Sequence, residues 1–184
     1  MNVLTLGPAG TYSHRAASAV ADDADIDFTE SVTEIVESVA SGGYDRGVVP
    51  VENSIEGSVT ESLDAFAEYD VAVLREIITP IRHALLAQGA GFETVASHAQ
   101  ALAQCREYLE TNYPEAGLEA VASTARGVQR AREDPSVAAI GHPANADNGA
   151  PLEVLAEDIQ DRSSNATRFL VVAPAAERTE AGSK

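Results

Sequence analysis

Residues 70–87 read DVAVLREIITPIRHALLA, and the parsing of that stretch decides the architecture. It is too long for one ordinary strand, which runs to about 5–6 residues. Pro80 interrupts it, and a proline within a sheet is confined to edges, strand ends or bulges. The reading is a strand that leaves one lobe and continues into a second. A chain that crosses once must return, and the polar stretch 157–164 is where it would do so. Lobe one is then expected at 1–76 plus 163–175, lobe two at 77–162, and a polar tail at 176–184. A cleft crossed by two strands is a usual place for a small ligand.

Working outward, short apolar runs alternate with helical periodicity along the whole chain. The runs lie at 3–6, 26–28, 47–51, 94–96, 118–122, 137–140, 154–155 and 169–172. Alternation of this kind predicts an α/β fold: two lobes of mostly parallel sheet with flanking helices. The sequence SVTE occurs at 31–34 and again at 58–61, and both copies fit a capping box ahead of a helix. Ser97 and Ser123 stand as caps for the helical stretches that follow them.

Composition narrows the function. The 184 residues are 45% hydrophobic, enough for a core, and carry a net charge of −17, with Lys184 as the only lysine. Such a surface argues against nucleic acid and anionic membranes as partners, since both need basic patches. It also fits a halophilic, acidic protein, because high salt screens the self-repulsion. No run approaches the roughly 20 apolar residues of a membrane span. The N-terminus lacks the basic and long apolar regions of a signal peptide. With Cys105 alone there is no intrachain disulfide, so a cytoplasmic setting is expected. The four histidines show no metal-ligand spacing, and no metal or cofactor is expected.

Several stretches place polar groups where chemistry is done. GPAGTYSH (7–14) follows a strand and opens a helix, where free N–H groups favour an anion. It is neither a dinucleotide fingerprint nor a P-loop, and a βα turn capped by Thr11 is the simpler local reading. In VPVENSIEGSV (49–59) Glu52, Asn53 and Ser54 sit at the carboxyl tip of a strand, where α/β sheets bind ligands. In SHAQALAQC (97–105) the helical spacing puts Ser97 and Gln104 on one side of the first two turns. A lone cysteine in a helix, Cys105, is read as core packing. SSNATRFLVV (163–172) contains an N-glycosylation pattern at Asn165, yet without a signal peptide it reads as a turn feeding a buried strand. The period-two rule sends Thr167 and Arg168 to opposite faces. If Thr167 faces the cleft, the favoured assignment, Arg168 orders the local structure through a carboxylate; the reverse assignment stays open.

Taken together, GPAGTYSH, VPVENSIEGSV, SHAQALAQC, the Ser123-Thr124 pair and SNATRFLVV resemble the prephenate dehydratase family, in its order and across nearly the whole chain. Ala99 departs from the proline usual in the family's S-H-P-Q segment. The resemblance implies a two-lobed, periplasmic-binding-protein-like fold (type II) with the active site between the lobes. It implies conversion of prephenate to phenylpyruvate, with loss of water and carbon dioxide, on the route to L-phenylalanine. Aromatisation drives that reaction, so orientation of the ring and help to the leaving hydroxyl are what remain for the protein.

By matched position, the resemblance implicates Thr167, Asn53 and Glu52 in catalysis, Thr167 beside the departing hydroxyl. It implicates Thr11, Ser54, Ser97, Gln104, Arg168, Ser123 and Thr124 in substrate binding. A dianionic substrate meets a field of the same sign, so helix N-termini after Gly10, Ser97 and Ser123 are expected to supply the positive potential. Apparent affinity should weaken at low ionic strength. Family members commonly continue into a phenylalanine-sensing ACT domain; here the sequence closes on ERTEAGSK (177–184), and feedback inhibition is expected to be absent from this chain. A homodimer or larger assembly is implied. The alternatives are arogenate as substrate, or a two-lobed binding module without turnover.

Overall fold

Pro80 ends one strand, and Ile81–His83 carry the chain to the next. The computed structural model describes residues 1–178 except Glu56, Asn148 and Ser163; most of the tail expected at 176–184 lies outside the described residues. In order, the elements are β1 (Val3–Leu6), α1 (Tyr12–Ala17), β2 (Ile26–Thr29), α2 (Val32–Ala40), β3 (Arg46–Asn53), β4 (Gly57–Ser58), α3 (Thr60–Glu68) and β5 (Val71–Pro80). Then come β6 (Ala84–Ala87), β7 (Thr94–His98), α4 (Ala99–Gln104), α5 (Arg106–Asn112), β8 (Gly117–Val121), α6 (Thr124–Glu133), β9 (Val137–Gly141), β10 (Glu153–Ala156) and β11 (Ala166–Pro174).

The chain forms two units, one of Met1–Pro80 with Ala166–Lys184 and one of Ile81–Asn165. The divisions fall after residues 80 and 165, a few residues beyond the 76 and 162 expected from the sequence. The reason is that β5 stays paired with β11 to its last residue, Pro80 opposite Ala166. Because β5 is the edge strand of its sheet, a proline is tolerated there.

The first unit holds a sheet in the order β2-β1-β3-β11-β5, with β4 folded back on β3. β1 pairs in parallel with β2 and β3, while β11 runs antiparallel to both β3 and β5. Alternate residues serve opposite faces. Leu4, Val49 and Val172 pack with Ile35, Val36 and Val39 of α2 and Ala65 of α3. Val3, Val48, Phe169 and Val171 pack with Ala16 and Ala17 of α1. Ile35, Val36 and Val39 are wholly buried, each worth roughly 1.5–3 kcal/mol of hydrophobic transfer.

The second unit holds a sheet in the order β10-β6-β9-β7-β8. Its β7, β8 and β9 run parallel, and β6 opposes both β9 and β10. One face packs Leu85, Val95 and Ile140 against Leu102, Cys105 and Leu109; the other packs Leu86 and Ala139 against Val128 and Ala131 of α6. So in each sheet the long strands point one way except for one, β11 or β6. These two are the strands the chain enters directly from the other unit, without the helical crossover that makes neighbours parallel.

Two helix starts differ from expectation. Ser31 caps α2 by accepting from the Glu34 N–H at 3.3 Å, as a capping box requires. The second SVTE does not repeat this: Ser58 belongs to β4 opposite Glu52, and Val59 precedes α3 with no side-chain cap. Glu61 instead reaches the start of α2, accepting from the N–H groups of Val32 at 3.0 Å and Thr33 at 3.3 Å. At α4 the cap is His98, whose Nδ1 accepts from Gln100 N–H, and not Ser97.

Candidate functional site

The first cluster lies in the first unit, where β3 ends beside the start of β11. Thr167 is in register with Asn53, and the Asn53 Nδ2 amide donates to Thr167 Oγ1 at 2.9 Å. The Ile55 N–H donates to Asn53 Oδ1 at 2.9 Å, which fixes which end of the carboxamide meets the threonine. Ser54 holds the two strands at this point: its N–H donates to the Ala166 carbonyl at 3.0 Å, and its hydroxyl accepts from Ala166 N–H at 2.8 Å.

Glu52 and Arg168 do not join that pair. Each precedes or follows a pair member by one residue, and a strand turns successive side chains to opposite faces. Arg168 lies 3.4 Å from Glu52 and 3.3 Å from Glu76, all three about half-exposed. The ladder slips by one residue between Arg168 and Phe169. Glu52, expected among the catalytic groups, is thus directed at a guanidinium. Thr11, at the carboxyl end of β1, is occupied with main chain: its hydroxyl donates to Leu6 O at 3.4 Å and accepts from His14 N–H at 3.2 Å.

The second cluster lies in the second unit. Gln104 closes α4, and its Oε1 accepts from His83 Nε2 at 2.9 Å and from Asn165 Nδ2 at 3.0 Å. Its Nε2 is buried and has no hydrogen-bond partner among the described residues. Burial pushes the His83 imidazole below its ordinary pKa, against the hydrogen bond to Gln104, which works the other way. Ser97 is fully buried and donates its hydroxyl to Ile140 O at 2.7 Å, stitching β7 to β9. It is not brought to Gln104, because its side chain points into the sheet instead of along the helix that follows. Ser123 caps α6 by accepting from Arg126 N–H at 3.1 Å, and Thr124 is the first residue of that helix, half-buried. Burial, with a smaller contribution from Asp161, pushes the Cys105 thiol up to about 12.

His83 and Asn165 escaped the sequence reading as members of this cluster. The available signal was a histidine directly after the Pro80 break in an otherwise apolar run, and an asparagine at the matching point of the return. Among the described residues, no group of three or more His, Cys, Asp or Glu could hold a metal, and no helix is long and apolar enough to cross a membrane.

Known proteins resemble this chain in sequence and in fold. The bifunctional chorismate mutase/prephenate dehydratase of Pseudomonas aeruginosa is 38% identical over 177 residues, 94% of this chain and 48% of that protein. The prephenate dehydratase of Methanocaldococcus jannaschii is 38% identical over 173 residues, 90% of this chain and 62% of that protein. A crystal structure of prephenate dehydratase from Arthrobacter aurescens, in complex with L-Phe, superimposes with a TM-score of 0.84 at 34% identity, covering 100% of this chain and 62% of that one. The chain therefore spans about half to three-fifths of the length of these relatives. A family model described as prephenate dehydratase matches residues 3–177, a span that takes in every motif from the Gly7 turn to Arg168, and the chain belongs to the prephenate dehydratase family.

Proposed function

We propose that this chain converts prephenate to phenylpyruvate, with loss of water and carbon dioxide, in L-phenylalanine biosynthesis. The observation that carries the reading is the Asn53–Thr167 hydrogen bond. With an amide N–H occupying one lone pair of Oγ1, the threonine O–H is left to donate elsewhere, and a hydroxyl that accepts one hydrogen bond is a better donor of the next. That donor suits a departing hydroxide. As the ring carboxylate leaves as carbon dioxide, its electron pair forms the aromatic system and the C–O bond breaks toward the hydroxyl. Charge then collects on the leaving oxygen, where a fixed O–H donor stabilises the transition state more than the ground state. No acid stronger than a hydroxyl is needed, since aromatisation supplies the driving force.

Gln104, Ser123 and Thr124 bind the substrate's oxygens in this reading, with the N-terminus of α6 adding positive potential without a lysine. Ser97, Ser54 and Thr11 hold the strands and the turn that carry them. Arg168 acts through Glu52 and Glu76 to set the position of Thr167 on β11. The same reading places the protein in the cytoplasm, adapted to salt, and as a homodimer or larger assembly.

The test is incubation with prephenate near neutral pH at low and high salt, reading phenylpyruvate by its absorbance in alkali, with arogenate assayed in parallel. Turnover of prephenate is expected. Binding without turnover at every salt concentration would identify a binding module, and turnover of arogenate alone would reassign the substrate.

A further inference from the structure

We propose that His83 and Asn165 are positioning residues for Gln104, setting its carboxamide so that Nε2 is presented as a hydrogen-bond donor to an oxygen of the substrate. The inference rests on the function proposed above for the choice of ligand, and on the geometry for the rest.

Gln104 Oε1 receives two donors, His83 Nε2 at 2.9 Å and Asn165 Nδ2 at 3.0 Å. An oxygen with both lone-pair directions occupied tells the two ends of the carboxamide apart. Were the amide reversed, its N–H groups would face the Asn165 N–H groups, donor against donor. The unreversed arrangement leaves Nε2 on the far side, buried and without a partner among the described residues. Buried amide nitrogens are nearly always satisfied, and one left open beside a completed pair of bonds calls for an acceptor that is not part of the chain.

The two positioning residues are buried, and their main chain is fixed. His83 and Asn165 are each 2% exposed. The His83 N–H donates to Gln160 Oε1 at 2.9 Å, and its carbonyl accepts from Ile159 N–H at 3.1 Å. The Asn165 carbonyl accepts from Ile81 N–H at 2.9 Å, and the Gln104 carbonyl from Asp161 N–H at 2.7 Å. So the first and last turns of the second unit clamp one side chain of α4. Both clamps donate as neutral groups, which leaves Gln104 an uncharged donor. Prephenate offers acceptor oxygens at its periphery, in two carboxylates, a keto group and a hydroxyl, and any of these satisfies an N–H.

The test has two arms. Nitrogen-15 NMR of the histidine side chains in the ligand-free protein should find His83 Nε2 protonated in the wild type. A bare Nε2 would mean that Gln104 turns its own N–H to the ring, and would overturn the inference whatever the enzyme does. In steady-state assays with prephenate, His83→Leu and Asn165→Leu should each raise KM about tenfold, the loss of one well-placed hydrogen bond, with a smaller change in kcat. His83→Gln, whose amide can donate to the same oxygen, should recover most of the loss. In a Gln104→Ala background, His83→Leu should raise KM no further, an outcome that general destabilisation would not produce. KM unchanged in folded His83→Leu or Asn165→Leu, while Thr167→Ala sharply lowers kcat, would sink the inference and leave the function standing. Should neither leucine variant fold, Gln104→Glu decides: it keeps an acceptor for both clamps but has no N–H, and an unchanged KM would again overturn the proposal. No turnover in the wild type would remove the function, and this substrate with it.

Discussion

Asn53 and Thr167 are 114 residues apart in the chain and 2.9 Å apart in space, joined amide to hydroxyl across the β3–β11 pairing. Neither residue works alone in this arrangement, since the amide orients the hydroxyl. Thr167→Ala should lower kcat by roughly 10²–10³, the typical effect of removing one donor to a developing oxyanion. Asn53→Ala should lower it less. The double variant should be little worse than Thr167→Ala, because the two losses share one cause. Thermal melts should change little. A double variant whose loss equals the product of the single losses would show that the residues act independently.

Stability should fall with pH in a window set by His83. The folded imidazole has a pKa below its ordinary value of 6.5, because burial disfavours the charged ring. As pH falls through 6.5 the unfolded chain takes up a proton that the folded protein still refuses. The unfolded state then binds more protons, so stability rises with pH across this range. The contribution is complete above 6.5 and is lost as pH falls toward the folded value. Melting temperatures of wild type and His83→Gln, measured stepwise downward from neutral pH, should converge; parallel curves would contradict the assignment.

Cys105 should be inert in the native protein. Only the thiolate reacts, and this thiol is buried at 0% exposure and pushed up to about 12. A disulfide reagent at mildly alkaline pH should label it only after denaturant is added. Rapid labelling of the folded protein, with loss of turnover, would make it a site residue.

Gly127 should not tolerate even alanine. A Cβ there would stand 2.5 Å from the Ala96 carbonyl oxygen and 3.0 Å from Ser97 Cα, both backbone atoms of β7. Alanine gains up to about 1 kcal/mol in helix propensity, whereas pushing a helix off a sheet costs about 1–3 kcal/mol. Gly127→Ala should therefore lower the melting temperature, while Gly89→Ala, where a Cβ meets nothing within 4 Å, should leave it nearly unchanged. Equal or higher stability in Gly127→Ala would show that α6 can shift without penalty.

Salt should help substrate binding. The chain carries −17, and a dianion approaching it is repelled by a field that ions screen. KM for prephenate should fall as salt is raised, while the fold, followed by circular dichroism, stays intact. A KM that is flat or rises with salt would mean that the local donors outweigh the bulk field.

Much of this was legible in the sequence because it is encoded locally. Pro80 punctuates the long apolar stretch, Ser31 and Ser123 announce their helices, and the alternation of Thr167 and Arg168 follows from strand geometry alone. Which of those two meets Asn53 was not legible, because it depends on the partner strand's register. Adjacent Glu52 and Asn53 look equivalent as letters, yet the pleat sends one to Arg168 and the other to Thr167. Ser97 reads as a helix cap, but its hydroxyl goes to a carbonyl 43 residues away. The partners of Gln104 lie 21 and 61 residues off, and no short-range pattern marks such a meeting.

The placement of β11 also fixes an order of assembly. It lies between β3 and β5, antiparallel to both, so without residues 166–174 those two strands have no common neighbour and both present open edges. The ribosome delivers residues 81–165 before it delivers that strand. The nested unit therefore has all of its sheet in hand first, and the unit that begins the chain closes last. Closure there waits on contacts of long sequence separation, such as Val48 with Val171, which are the slow kind to form. Until β11 arrives, the growing chain exposes two unpaired strand edges, the surfaces most prone to wrong pairing. Thr167, the residue proposed to assist the leaving hydroxyl, is thus carried by the strand whose docking completes the sheet of the first unit, and on that proposal activity during synthesis would report the closing step.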